Sequence, residues 1–296
     1  MPTPDFYIVP TAALDATANA IREKTGSQAS IEFTQDGFAD AIEDIESGYS
    51  FEQIANHDFS YSGELTLTGT RIYPFAFERA GFTSVSAPNV ISFTDSENGT
   101  SNGNGGYIFA YCTNLALISF PELTNTGSGG YQFAGCTSLT AVNFPKLAYC
   151  GTYMFYGCSN LVTAVLRGNA ASNFNGHAFQ NCSKLKKVDI TAGQRIYTDE
   201  FKNASVFDIL VLRKTSAVVS LNTVGAFSGT PFADGGTGGT LYVPNSMIAT
   251  YQSATNWSTI LSYTNNSIKS IESTHTDPDA PIDLTLYYAD GTLIPT

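Results

Sequence analysis

One pattern of apolar residues occurs four times in the middle of the chain. The four segments are IFAYCTNLALISFP, QFAGCTSLTAVNFP, MFYGCSNLVTAVLR and AFQNCSKLKKVDIT. Their phenylalanines, Phe109, Phe133, Phe155 and Phe179, follow one another at intervals of 24, 22 and 24 residues. A period of this length predicts a solenoid, because one such unit cannot bury its own apolar side chains and must stack on the next. A solenoid offers a surface for binding and by itself supplies no chemistry.

The charge balance narrows the classes of partner. The 296 residues carry a formal net charge of −12, and only 14% of the side chains are charged. A nucleic-acid backbone and an anionic membrane both require a basic surface, so neither is an expected partner. No apolar run approaches the roughly 18 residues of a membrane-spanning helix. The first residues lack a basic stretch followed by an apolar one, so no secretory signal is expected.

Four of the five cysteines occupy the same position of successive repeats: Cys112, Cys136, Cys158 and Cys182. The fifth, Cys150, lies between two such positions. A straight column of thiols does not form the tetrahedral cage of a zinc site, and no two cysteines are separated by two residues. We therefore expect buried, free thiols that fill a tight corner, with no metal and no cofactor.

The chain divides into four segments by pattern. Residues 1–48 contain two short amphipathic stretches, which predict a small helical module. Residues 49–72 predict an extended connector, with a short strand at Leu65 and Leu67. Residues 73–271 predict the solenoid with an irregular first unit and a C-terminal capping helix, and 272–296 predict a strand-like tail.

The repeats resemble a known class. FAGCTSLTAVNFP, residues 133–145, is similar to BspA-like leucine-rich repeats, and LYVPNSMIATYQSATNWSTI, residues 241–260, resembles the terminal unit often found with them. The resemblance covers about residues 73–271. It implies a mainly β leucine-rich-repeat solenoid and a non-enzymatic binding role. BspA-like repeats occur in bacterial and microbial surface adhesins and in tail-associated proteins of bacteriophages.

The N-terminal segment helps to choose between those settings. ANAIREKTG, residues 18–26, and GFADAIEDIESG, residues 37–48, resemble a short module at the start of phage and prophage tail or minor structural proteins of gut-dwelling Gram-positive hosts. The resemblance implies a virion protein that docks onto other virion proteins through this module. A protein released by cell lysis needs no secretory signal, which agrees with the expected absence of one.

The strand of each repeat supplies the first candidate binding surface. Because successive side chains of a strand point to opposite faces, the residues between the buried anchors are expected to point outward. They form a ribbon that either contacts a partner or is an ordinary solvated face. The ribbon comprises Leu117, Ser119, Ala141, Asn143, Thr163, Val165, Lys187 and Asp189.

A column of aromatic residues supplies the second candidate. Its members lie two positions before each repeat phenylalanine: Tyr107, Tyr131, Tyr153 and His177. Aromatic rings with polar tips could line a groove for sugars, and they could equally form a buried structural spine. The glycines just before them, Gly105, Gly106, Gly129, Gly130, Gly151 and Gly176, are expected to form tight corners with positive φ.

No catalytic residue is predicted. The three histidines, His57, His177 and His275, lie in no recognised nucleophile or metal motif. The leading hypothesis is a virion protein, associated with a tail fibre or baseplate, that binds a host cell-surface glycan or protein and forms a homo-oligomer. One alternative is a bacterial cell-surface adhesin. Another is a structural decoration protein that contacts only other virion proteins.

Overall fold

A computed structural model shows a mainly β solenoid of about seven turns with a few short helices, as the repeats predict. The segments predicted as a helical module (1–48) and a strand-like tail (272–296) lie outside the residues that it describes. The described residues are 63–67, 69–72, 76–93, 106–127, 129–148, 150–167, 176–190 and 195–271.

Short parallel strands, one from nearly every coil, form the sheets. The strands are β1 (Glu64–Thr66), β2 (Ser84–Ser86), β3 (Leu117–Ser119), β4 (Ala141–Phe144), β5 (Thr163–Leu166), β6 (Lys187–Ile190), β7 (Arg195–Ile196), β8 (Ile209–Leu212), β9 (Ser220–Leu221), β10 (Thr240–Val243) and β11 (Ser267–Ser270). Hydrogen bonds join them in the orders β1-β2-β3, β4-β5-β6-β8-β10-β11 and β7-β9.

The strands pair in register, so equivalent positions of the repeats lie next to each other. Val142 pairs with Ala164, which pairs with Val188, and this row points into the core. Strand β1 falls within the segment predicted as a connector, yet it pairs with β2 from Glu64 to Thr66. The stack of strands therefore begins earlier than the predicted boundary at residue 73.

The repeat phenylalanines form a continuous stack through the core. Each ring lies within 26° of parallel to the next, and each is at most 3% exposed. Burial of one such side chain contributes roughly 1.5–3 kcal/mol, so the column is a main source of cohesion between coils. The centroid distances run from 5.3 to 5.8 Å along Phe77, Phe109, Phe133, Phe155, Phe179, Phe201 and Phe227.

The cysteines add hydrogen bonds between coils. Each thiol donates to the carbonyl oxygen of the phenylalanine one repeat earlier: Cys112 to Phe77, Cys136 to Phe109, Cys158 to Phe133 and Cys182 to Phe155, at 3.0–3.1 Å. All four are free and fully buried. Burial raises the pKa of Cys112 and of Cys158 to about 12, so these thiols stay protonated and pack as small apolar groups.

The C-terminal cap is helical, but it consists of two short α-helices rather than the single predicted one. They are α1 (Ile248–Ser253) and α2 (Trp257–Ser262), after short 3₁₀ helices at Val224–Phe227 and Asn245–Met247. The break comes at Asn256, whose φ is 62° and whose side-chain amide donates to the carbonyl of Leu221 at 2.8 Å. Trp257 covers the last coil and donates to Val219 O at 2.7 Å.

Candidate recognition surfaces

The predicted strand ribbon is only partly exposed. Leu117 and Ser119 on β3 are exposed, and Asn143 on β4 is half-buried. The expectation of exposure is wrong for the remaining members, which are all at most 7% exposed: Ala141, Thr163, Val165, Lys187 and Asp189. Adjacent strands lie about 4.8 Å apart, so side chains from neighbouring strands can cover one another, as Arg167 and Arg213 cover Asp189. Alternation along one strand cannot reveal this cover.

Asp189 shows how the ribbon is covered. Its carboxylate is 1% exposed and lies between two arginines that follow the neighbouring strands. Arg213 donates to both carboxylate oxygens, at 2.7 and 2.8 Å, in the bidentate geometry that makes such pairs strong. Arg167 donates to one oxygen at 3.2 Å. We call Arg167, Asp189 and Arg213 the arginine triad.

The aromatic column is neither buried nor an open groove of ring faces. Tyr107, Tyr131, Tyr153 and His177 are each half-buried. Their rings stack in sequence with centroids 4.8, 4.6 and 4.5 Å apart and planes within 11° of parallel. The buried-spine interpretation is therefore wrong.

The stacking decides what the column can offer a ligand. Because each inner ring is covered on both faces by its neighbours, a sugar cannot lie flat on Tyr131 or Tyr153. The ring edges and phenol groups remain. The column therefore presents a row of hydroxyl-bearing edges at a spacing of about 4.6 Å, which suits hydrogen bonding more than face-to-face stacking.

The backbone of the column is in an unusual conformation. Tyr107, Tyr131, Tyr153 and His177 all have φ between 58° and 68°, in the left-handed region that favours glycine. The turn position four residues later is also left-handed, and in the same four repeats it is Tyr111, Gly135, Gly157 and Asn181. A bulky residue in this region costs roughly 1–2 kcal/mol. Each stacked pair of rings contributes roughly 0.5–1.5 kcal/mol of stabilisation. Stacking therefore offsets the backbone strain, and the rings add no clear net stability to the fold.

The glycines before the column have a different role from the predicted one. Of the described members, only Gly176 has a positive φ. A side chain at Gly130 would collide with the carbonyl oxygen of Thr152, and one at Gly151 would come within 2.6 Å of the Gln132 amide. These positions need glycine because neighbouring coils approach closely, whereas the positive φ falls on the tyrosines.

Further tyrosines widen the column into a patch. Tyr156 packs edge-on against Tyr153 at 5.5 Å, and Tyr111 is 41% exposed with the Arg79 guanidinium 5.3 Å from its ring centroid. The Tyr111 ring occupies the space next to Gly135, where an added Cβ would lie 2.6 Å away. We define the tyrosine patch as Tyr107, Tyr111, Tyr131, Tyr153, Tyr156 and His177.

The phenols of Tyr107 and Tyr131 remain protonated near neutral pH. Partial burial raises the pKa of Tyr107 and of Tyr131 above the usual value, and neighbouring tyrosines raise the pKa of both further. Each hydroxyl can therefore donate one hydrogen bond and accept others. Such groups recognise polar, uncharged ligand surfaces.

His177 is the last ring of the column, and its side chain contacts a glutamine. Its Nδ1 lies 2.7 Å from Gln180 Oε1. Within the described ranges, no group of three or more His, Cys, Asp or Glu side chains could hold a metal ion. In the same part of the chain, no helix is long and apolar enough to cross a membrane.

Glu200 is a buried acidic residue to which the sequence patterns assign no role. It precedes Phe201 and is fully buried, and neither carboxyl oxygen has a hydrogen-bond partner among the described residues. Burial raises the pKa of Glu200 to about 8, although the nearby N–H groups of Ala178 and Gly176 favour the charged form. The equivalent position in other repeats is Ile108, Gln132, Met154 and Ala178, none of them ionisable, so aligning the repeats would have exposed Glu200 as the ionisable exception.

Comparison with known proteins agrees with the repeat assignment. Residues 70–208 match the family described as BspA type Leucine rich repeat region, in six copies. The chain therefore contains a BspA-type leucine-rich repeat region, as its motifs predict. A region of this type is consistent with a binding or adhesin role.

Two solved structures are similar in part. A leucine-rich repeat protein of T. pallidum (TpLRR) shares 20% identity and a TM-score of 0.42, covering 63% of this chain and 86% of that one. A leucine-rich repeat protein from Bacteroides ovatus ATCC 8483 shares 15% identity and a TM-score of 0.38, covering 68% and 57% respectively. No curated protein sequence gives a significant match.

Proposed function

We propose that this protein is a non-enzymatic recognition protein of a bacteriophage virion, associated with a tail fibre or baseplate. In this proposal it binds a host cell-surface glycan or protein through the tyrosine patch of its repeats. The N-terminal segment, residues 1–48, docks onto other virion proteins, and several copies act together. Display of several weak sites on one particle raises the overall avidity well above the affinity of one site.

The tyrosine patch is the observation that carries the binding proposal. Four successive coils place a large aromatic side chain at a left-handed backbone position that favours glycine. The stacking energy only offsets this strain, so stability alone gives a weak reason for the rings. Strained residues of this kind cluster at binding sites, and tyrosine is enriched at interfaces because it joins an apolar ring to a hydrogen-bonding tip.

The virion setting rests on a separate observation. Residues 18–26 and 37–48 resemble the short module of phage tail and minor structural proteins. These residues lie outside the described part of the chain, so the setting is supported by sequence resemblance alone. A bacterial cell-surface adhesin remains the main alternative, and it uses the same patch.

Removal of the phenol groups tests the binding site. The triple variant Tyr107→Phe, Tyr131→Phe, Tyr153→Phe retains the rings, their stacking and the backbone, and it removes three hydroxyls. We expect the full-length variant to keep its melting temperature and to lose at least roughly tenfold in affinity for host cells, since each lost hydrogen bond costs roughly 0.5–1.5 kcal/mol. Co-sedimentation with cells of candidate hosts measures the affinity.

A matched control separates the patch from tyrosines in general. Tyr242→Phe with Tyr263→Phe alters two half-buried phenols away from the patch and should leave cell binding within twofold. Equal loss in both variants contradicts the assignment of the site. Absence of binding by the wild-type protein, alone and in assembled particles, favours the decoration role, in which the repeats contact only other virion proteins.

A further inference from the structure

The acidic charge of the chain is unevenly distributed. Residues 1–62 contain eleven Asp and Glu against two Lys and Arg, and residues 272–296 contain five against none. The solenoid between them, residues 63–271, has ten acidic and twelve basic side chains. The two terminal segments therefore account for the negative net charge of the chain, whereas the solenoid itself is not acidic.

Within the solenoid, the basic residues gather in the later repeats. Residues 163–214 hold eight of the twelve Lys and Arg and only four acidic residues. One of these four is Glu200, which burial keeps largely protonated at neutral pH. Two of the basic residues follow strands β5 and β8 in the alternation of the strand ribbon, Arg167 and Arg213.

The arginine triad is the centre of this basic region. Two guanidinium groups share one carboxylate, so the triad has a net charge of +1. The side chain of Arg167 is 34% exposed and donates one hydrogen bond to Asp189, although a guanidinium has five N–H groups. Its Nε is buried and cannot reach a ligand from solvent. The terminal N–H groups that Asp189 does not use remain donors, and the exposed part of Arg167 can approach a second anionic group.

The geometry favours a sparsely charged anion over duplex nucleic acid. Asp189 already shows that the two arginines accommodate a carboxylate, and the same planar fork suits phosphate. Duplex DNA carries one charge per about 1.7 Å, so the strongly acidic terminal segments of this protein would repel it. A carbohydrate polymer with occasional anionic groups meets far less repulsion while its charged groups reach the triad.

We propose that the arginine triad binds an anionic group, carboxylate or phosphodiester, of a cell-surface glycopolymer. The inference rests on the proposed function, because it places the ligand on a host cell surface. It adds a second, charged binding site to the uncharged tyrosine patch. Binding at this site weakens as salt rises, because the attraction is between exposed charges.

The test uses the full-length protein and polymers of defined chemistry. Sparsely carboxymethylated dextran supplies occasional carboxylates, dextran with the same sparse density of glycerol phosphodiesters supplies phosphodiesters, and unmodified dextran is the neutral control. Affinities are measured by calorimetry at 50 and 200 mM salt. We expect one or both anionic polymers to bind, unmodified dextran to bind at least roughly tenfold more weakly, and the stronger anionic polymer to identify the group.

Substitutions at Arg167 locate the site. Arg167→Gln should weaken binding roughly tenfold and reduce its salt dependence, because one charged hydrogen-bond donor is lost. Arg167→Lys, which retains the charge without the fork, should recover part of the affinity. Lys202→Gln removes the same charge from the Asp199 ion pair in a turn away from the strand face and should change affinity less than twofold. Thermal melts confirm that each variant is folded.

Two results would overturn the inference. One is failure of both anionic polymers to bind at 50 mM salt. The other is equal weakening of binding in Arg167→Gln and Lys202→Gln. Equally tight binding of duplex DNA overturns the stated ligand class. If cells bind through the tyrosine patch while neither polymer binds, the proposed function stands without the second site. If neither cells nor polymers bind, both proposals fail.

Discussion

Glu200→Gln should make the stability of the protein less sensitive to pH. The Glu200 carboxyl is fully buried without a hydrogen-bond partner among the described residues, and its pKa in the fold is about 8 against an ordinary value of 4.5. The folded protein therefore holds the proton in a pH range where the unfolded chain has released it. Stability must fall as pH rises from about 4.5, and the loss is complete above about 8.

The size of the effect follows from the difference in pKa. One unit corresponds to about 1.4 kcal/mol, so the full difference amounts to an upper bound of about 5 kcal/mol, and the part reached by pH 7 is about 3 kcal/mol. A buried glutamine carries no ionisation cost. We expect the stability of Glu200→Gln relative to wild type to increase by about 3 kcal/mol between pH 4.5 and 7.

Urea denaturation at half-unit steps from pH 4.5 to 8 provides the measurement. The comparison uses the difference between the two proteins at each pH, because other carboxylates titrate in both and cancel. Glu122→Gln makes the same chemical change at a side chain that is 44% exposed and paired with Lys146. A difference between Glu200→Gln and wild type that stays constant with pH would refute the reasoning, because the carboxyl would then ionise alike in both states.

Three further predictions concern the packing of the coils. Cys136→Ala should reduce the free energy of unfolding by about 1–2 kcal/mol, because it removes the thiol bond to Phe109 O and leaves a small void; urea denaturation measures this. In the native protein, a thiol reagent should leave Cys136 and Cys158 unmodified over hours. Gly130→Ala should destabilise the fold by more than Gly157→Ala. The first brings Cβ against the Thr152 carbonyl, whereas the second has open space and loses only the ease of a positive φ, about 1 kcal/mol. Equal losses in the two alanine variants would contradict the close contact between coils.

The sequence predicted the stacking of the coils more accurately than the exposure of the residues on their surfaces. The spacing of Phe109, Phe133 and Phe155 was enough to place the core column, because the period of a repeat leaves few other ways to bury the rings. The exposure of Val165 and Asp189 was predicted wrongly. Whether a side chain on a sheet is covered depends on the lengths of its neighbours on adjacent strands, and alternation along one strand does not contain that information.

The tyrosine patch illustrates the same limit. Its members were found from their repeated position, but their exposure and ring orientation were not predictable. The positive φ of Tyr131 and Tyr153 was assigned instead to the preceding glycines, because glycine is the residue that usually tolerates it. In this turn, tyrosine occupies the strained position and glycine leaves room for the next coil. Residue preferences alone do not predict such an arrangement.

The most direct test of the recognition surface is a chemical footprint of the tyrosines during binding. Iodination rates of individual tyrosines are measured by mass spectrometry, with and without saturating host cell envelopes. Tyr131 and Tyr153 should be protected at least roughly fivefold on binding, since their exposed edges lie within the proposed contact. Tyr263, which is also half-buried but lies in the C-terminal cap, should react at an unchanged rate. Binding that leaves the rates of Tyr131 and Tyr153 unchanged would contradict the account.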